Sequence, residues 1–60
     1  MSKIHPIVQG MNMLKIEREI LDIFVGNGMD EDDADEKIDN MSDDDKTQYL
    51  SDAYYLLEEE

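Results

Sequence analysis

Asn12-Met13-Leu14-Lys15-Ile16-Glu17-Arg18-Glu19-Ile20-Leu21-Asp22-Ile23-Phe24-Val25-Gly26-Asn27-Gly28 is the stretch that decides the fold. At steps of about 100° per residue, Met13, Leu14, Ile16, Ile20, Leu21, Ile23, Phe24 and Val25 fall on one wide arc, and Lys15, Arg18, Glu19 and Asp22 fall opposite them. That spacing predicts an amphipathic helix over 12–25 that turns a broad apolar face to a core. Asn12 is a suitable N-cap, because its side-chain oxygen can accept an orphan backbone N–H of the first turn. Gly26-Asn27-Gly28 ends the helix, since glycine enters the left-handed C-cap conformation without a Cβ clash. Glu17 falls inside the apolar arc. No partner for it is visible in the sequence, so it is expected over a gap between neighbours, with its carboxylate reaching water.

Downstream, the helical pattern continues with a thinner apolar stripe. A second helix is predicted over 30–40, with Asp30 as cap, Asp33 in the capping-box position, and Ala34, Ile38 and Met41 facing inward. Acids in its first turn suit the positive end of the helix dipole. A third is predicted over 42–58, opened by Ser42 and Asp45 as Ser-x-x-Asp, with Tyr49, Leu50, Ala53, Tyr54, Leu56 and Leu57 sharing a face. Upstream, residues 1–10 form a short lead-in interrupted by Pro6 and Gly10, although Pro6 can also open a helical turn. No segment alternates in the manner of a strand, and no hairpin turn joins two β-branched runs. The expected fold class is therefore all-α: a single three-helix domain spanning residues 1–60.

Charge is the most informative property of the composition. The formal net charge is −12, from 17 acids and 5 bases. Residues 1–29 carry Glu17, Glu19 and Asp22 against Lys3, Lys15 and Arg18, and so net to zero; residues 30–60 carry the other fourteen acids against Lys37 and Lys46, which accounts for the whole −12. A small domain needs a net charge of only about 2–8 for solubility. The excess destabilises the compact state by self-repulsion and calls for a reason. Disorder is rejected for all but the ends, because 40% of residues are hydrophobic and fall at helical spacing. Adaptation to high salt is a second explanation, and a basic partner is the leading one. Direct binding to nucleic acid or to an anionic membrane is disfavoured by the same repulsion.

Site chemistry is sparse. There is no cysteine, hence neither a disulfide framework nor a thiolate metal site, and His5 is the single histidine. Asp30-Glu31-Asp32-Asp33-Ala34-Asp35-Glu36 suggests a calcium loop, but from Asp30 the sixth position is Asp35 where glycine is needed, and the twelfth is Met41 where a bidentate Glu is needed. No metal or cofactor is expected. His5 sits beside a proline in an end expected to be mobile, and no glycine-rich phosphate loop is present, so an enzyme is not expected. The longest apolar run, Ile23-Phe24-Val25, is far short of a membrane span, and Met1 to Pro6 lacks the apolar region of a secretory signal, which predicts a cytoplasmic protein. Five methionines, Met1, Met11, Met13, Met29 and Met41, suit adaptable packing, with Met13 and Met41 assigned to the core. Tyr55 is placed on the polar face of the third helix, near Ser51, Asp52 and Glu59. It serves there either as an interface anchor or as a lid on the apolar N-terminal segment.

Carboxylates three or four residues apart on a helix lie about 5–6 Å from one another, a spacing of the order of successive phosphates on a strand. Two acidic helices side by side would present two rows of negative charge to a groove shaped for nucleic acid. In size, acidity and lack of catalytic groups the chain resembles the small inhibitors of phages and mobile elements, the anti-CRISPR and anti-restriction proteins, several of which imitate DNA. That resemblance implies a non-catalytic inhibitor whose partner is a basic nucleic-acid-binding protein or complex of the host. The expected contact residues are Asp32, Asp33, Asp35, Glu36, Asp39, Asp43, Asp44 and Asp52, with Tyr55 as an apolar anchor. The alternative is an assembly module that forms a homodimer or buries a partner helix through the apolar face of 12–25, its acids serving solubility alone.

Overall fold

A computed structural model describes residues 3–58, in which four helices and no strand are present: α1 (Pro6–Gln9), α2 (Met13–Gly26), α3 (Glu31–Asp39) and α4 (Asp43–Glu58). Met1 and Glu59, both named above, lie outside the described residues. The all-α class and the three longer helices match expectation. The lead-in contains one further turn, because Pro6 occupies the first helical position and His5 caps it, its Nδ1 accepting the Ile7 N–H at 3.1 Å.

The ends of α2 form as the local sequence predicts. Asn12 Oδ1 accepts the Lys15 N–H at 2.8 Å. At the other end the helix runs through Gly26, and the left-handed residue is Gly28, with φ of 100°. The Gly28 N–H then donates to Val25 O at 3.0 Å, and the Met29 N–H to Phe24 O at 3.1 Å. This is the Schellman pairing, which closes the orphan carbonyls of the last turn. A side chain at Gly28 would meet no neighbour, so its cost is conformational, about 1 kcal/mol. Ser42 caps α4 through the Asp45 N–H at 3.1 Å. Asp30 occupies the N-cap of α3, but its carboxylate makes no capping hydrogen bond, so the capping box expected of Asp30 and Asp33 does not form.

α2 is the hub of the packing. α3 and α4 each pack on it and make little contact with each other, while α1 packs on α4. The buried core consists of Val8, Ile16, Ile20, Phe24, Ala34, Ile38 and Leu50, with Ile20 and Ala34 wholly removed from solvent. Tyr49 stacks at a tilt on Phe24, their ring centroids 5.4 Å apart. Met13 packs against this core and Met41 is half-buried.

Several residues assigned to the apolar faces are not covered. Leu14 is 78% exposed and Val25 43%, because two neighbours on α2 cannot enclose an arc that wide. Leu56 and Leu57 are also exposed, because the last turn of α4 meets only the N-terminal segment, on the side where His5 lies.

Candidate functional site

The acidic residues of α3 divide by helix geometry. Ala34 and Ile38 are buried against α2, so positions half a turn away face outward. Asp32, Asp35, Glu36 and Asp39 recur there at i, i+3, i+4 and i+7, all four exposed, and they line one continuous outer surface. Asp33 is exposed on a different side of the helix. On α4, Asp43, Asp44 and Asp52 are exposed; Asp52 Oδ1 accepts the Gln48 side-chain N–H at 2.9 Å. Because α3 and α4 both lean on α2, the two acidic helices are not packed side by side as expected. The result is one carboxylate stripe on α3 and a separate group on α4.

Among the described residues the bases form no ion pair with that stripe. Lys15 Nζ lies 3.5 Å from Glu19 Oε2 along α2. Lys37 stands over the Phe24 ring, 5.7 Å from its centroid. Lys46 Nζ lies 2.6 Å from Glu17 Oε2, and only 8% of its side chain is exposed. Glu17 therefore has a partner, contrary to expectation. Helical periodicity within 12–25 cannot reveal an ion pair to a residue 29 positions away. Among the described residues no ion pair involves a carboxylate of α3.

Lys46 holds its proton more tightly than an ordinary lysine, chiefly through the hydrogen bond to Glu17, aided by the charges of Glu17, Asp43 and Asp39 and opposed by burial. In a domain this small no side chain lies far from the surface, which is why pairing outweighs burial. Asp43 thus acts partly on Lys46. The Tyr54 phenol is also pushed up, first by burial and then by the Glu19 carboxylate, to which its hydroxyl donates at 3.2 Å. Both groups bind their protons more strongly in the folded chain, so their stabilisation is complete below the ordinary values of 10.5 and 10.0 and is lost as pH rises past them. The melting temperature is expected to fall above about pH 10, and Tyr54→Phe should make that decline shallower. An alkaline limb equally steep in Tyr54→Phe and parent would contradict the assignment.

His5 corrects the expectation of a mobile end. It is 4% exposed: its N–H donates to Ser51 Oγ at 2.8 Å, its Nε2 pairs with the Glu58 carboxylate, and its ring lies 5.5 Å from Tyr54 and 4.8 Å from Tyr55. Ser51 is fully buried as the acceptor of that bond, not on the polar face. Tyr55 packs edge-on to His5 and is half-buried, which is the lid role of the two considered for it. His5-Pro6 signalled the turn of α1, a capping residue followed by proline at the first helical position, but not the contacts with α4, which join residues 46 and 53 positions apart.

Of the apolar face of α2, Ile16, Ile20 and Phe24 are buried within the chain, leaving Leu14 and Val25 as its exposed apolar groups. Among the described residues no three His, Asp or Glu side chains converge to hold a metal ion, and no helix is long and apolar enough to cross a membrane. Compared with protein-family models, with curated proteins and with solved structures, the chain matches none.

Proposed function

We propose that the chain is a non-catalytic acidic inhibitor that imitates the charge of DNA and occupies the nucleic-acid-binding channel of a basic host defence complex, of the anti-CRISPR or anti-restriction kind. The observation that carries this reading is the stripe of Asp32, Asp35, Glu36 and Asp39, exposed along α3 while Lys15 and Lys46 pair with acids of α2 and Lys37 stands over Phe24. A row of carboxylates about 5–6 Å apart carries the repulsive cost of a high net charge, and a channel lined with lysine and arginine relieves it. Asp33, Asp43, Asp44 and Asp52 extend the negative field beyond the stripe, whereas Tyr55 packs on His5 and is half-buried.

The test is affinity capture from bacterial lysate at low and high salt, with duplex DNA as competitor. The expected result is a nucleic-acid-binding protein that DNA displaces and that is lost as salt rises, because charge contacts are screened. Capture that survives both salt and DNA would sink the reading and favour an apolar interface.

A further inference from the structure

We infer that the groove between α2 and α3 is a docking site for an amphipathic basic segment, one that inserts apolar side chains between flanking lysines or arginines. The inference rests on the reading that the acidic surface meets a basic partner, and it specifies how that partner is held.

The groove encloses about 380 Å³. Leu14, Leu21 and Ile38 supply its apolar surface. Leu14 is 78% exposed, Leu21 half-buried and Ile38 buried, so the apolar lining descends from rim to floor. Asp22 on α2 and Glu31, Asp35 and Asp39 on α3 stand around it. Glu17 and Arg18 complete the lining, but Glu17 is neutralised by Lys46, so the rim keeps four carboxylates against the one guanidinium of Arg18.

An exposed leucine alone is ordinary on a protein surface. Here it borders a mainly polar concavity in which Leu14 and Leu21 offer a smaller apolar contact among carboxylates, and the two features together select a cationic ligand that also carries apolar side chains. Leu14 and Leu21 are seven positions apart on one helix face, about 10 Å, a distance spanned by two turns of a partner helix. Lysine and arginine suit such a site because their aliphatic stems cover apolar surface while their charges reach the rim. A second copy of this chain is a poor occupant, because it would bring the same carboxylates to the same rim.

The probe is a short synthetic peptide of leucine and lysine at helical spacing, compared with a scrambled peptide of identical composition. Binding is measured by fluorescence anisotropy and by amide shifts of the isotope-labelled full chain. Three proteins are compared: the parent, Leu14→Ser, and the double variant Asp32→Asn/Glu36→Gln, whose substitutions lie on the outer stripe and not in the groove. The helically spaced peptide is expected to bind about tenfold more tightly than its scramble, and Leu14→Ser to remove about that factor. The double variant should weaken both peptides alike, and amide shifts should centre on Leu14, Leu21 and Ile38.

Equal binding of the two peptides, or a silent Leu14→Ser, overturns the groove. If shifts then fall along the outer stripe, the basic-partner reading survives without it. Failure of both peptides to bind at low salt removes the groove and the acidic-surface reading together. A concentration-dependent dimer that Leu14→Ser abolishes would overturn the choice of occupant. Groove binding by the peptide, with no DNA-displaceable protein captured from lysate, would uphold the groove and reject DNA mimicry.

Discussion

Reversing Asp32, Asp35, Glu36 and Asp39 to lysine is expected to abolish binding to the proposed basic partner and to leave the domain folded. Each reversal adds two units of charge, so the formal net charge goes from −12 to −4. Like charges facing each other across an interface cost several kcal/mol, which corresponds to a loss of at least about a thousandfold in affinity. The fold has little to lose. All four side chains are exposed, none pairs with a base among the described residues, and lysine favours a helix interior more than aspartate does. Asp32, in the first turn, gives up a favourable interaction with the helix dipole, worth about 0.3–1 kcal/mol, and Asp39 gives up its attraction to Lys46. Relief of self-repulsion acts in the other direction. Added salt should therefore raise the melting temperature of the parent more than that of the reversed chain. Circular dichroism reads the fold and a binding assay at low salt reads the interface. A reversed chain that retains helix and still binds as tightly as the parent would remove charge mimicry as the function.

Ile20→Ala is expected to remove most of the stability of the fold at 25 °C. Ile20 is wholly buried at the middle of α2, the helix on which both α3 and α4 pack. Deleting a buried isoleucine side chain to alanine costs about 2–5 kcal/mol. A 60-residue chain has a total stability of about 3–9 kcal/mol, and the self-repulsion of its acids places this one toward the lower part of that range. The helices cannot persist separately, because α3 has 9 residues and α2 has 14, lengths at which isolated helices are marginal in water. Loss of helical signal and loss of tertiary structure should therefore coincide. Leu14→Ala provides the contrast on the same helix: at 78% exposure it should change stability by less than about 0.5 kcal/mol. Equal effects at the two positions would mean that α2 does not pack as described.

The contrast between Ile20 and Leu14 also marks how far periodicity reaches. Both fall on the apolar arc of 12–25. A helical wheel assigns direction, but the width of the buried face depends on how many neighbours arrive and where they sit. Two helices cover Ile16, Ile20 and Phe24 and leave Leu14 and Val25 in solvent. The candidate site divides in the same way. The spacing of Asp32, Asp35, Glu36 and Asp39 was readable from the chain, and so was their outward direction once Ala34 and Ile38 were taken as the inner face. The groove was not, because its Leu14 and Ile38 lie on different helices and are brought together only by packing.

The sequence by itself determined the local structure of this protein: helix type, the caps at Asn12 and Ser42, the chain reversal at Gly28, and the concentration of negative charge after residue 29. Each of these depends on interactions within a few residues, where spacing along the chain is also spacing in space. Only the tertiary structure decided the pairing of Glu17 with Lys46, the burial of His5 against Ser51 of α4, and the packing of the two acidic helices on α2 instead of on each other. These join residues between 29 and 53 positions apart. No periodicity encodes such distances. They follow from the one arrangement in which a narrow set of apolar side chains on α1, α2, α3 and α4 can leave water together.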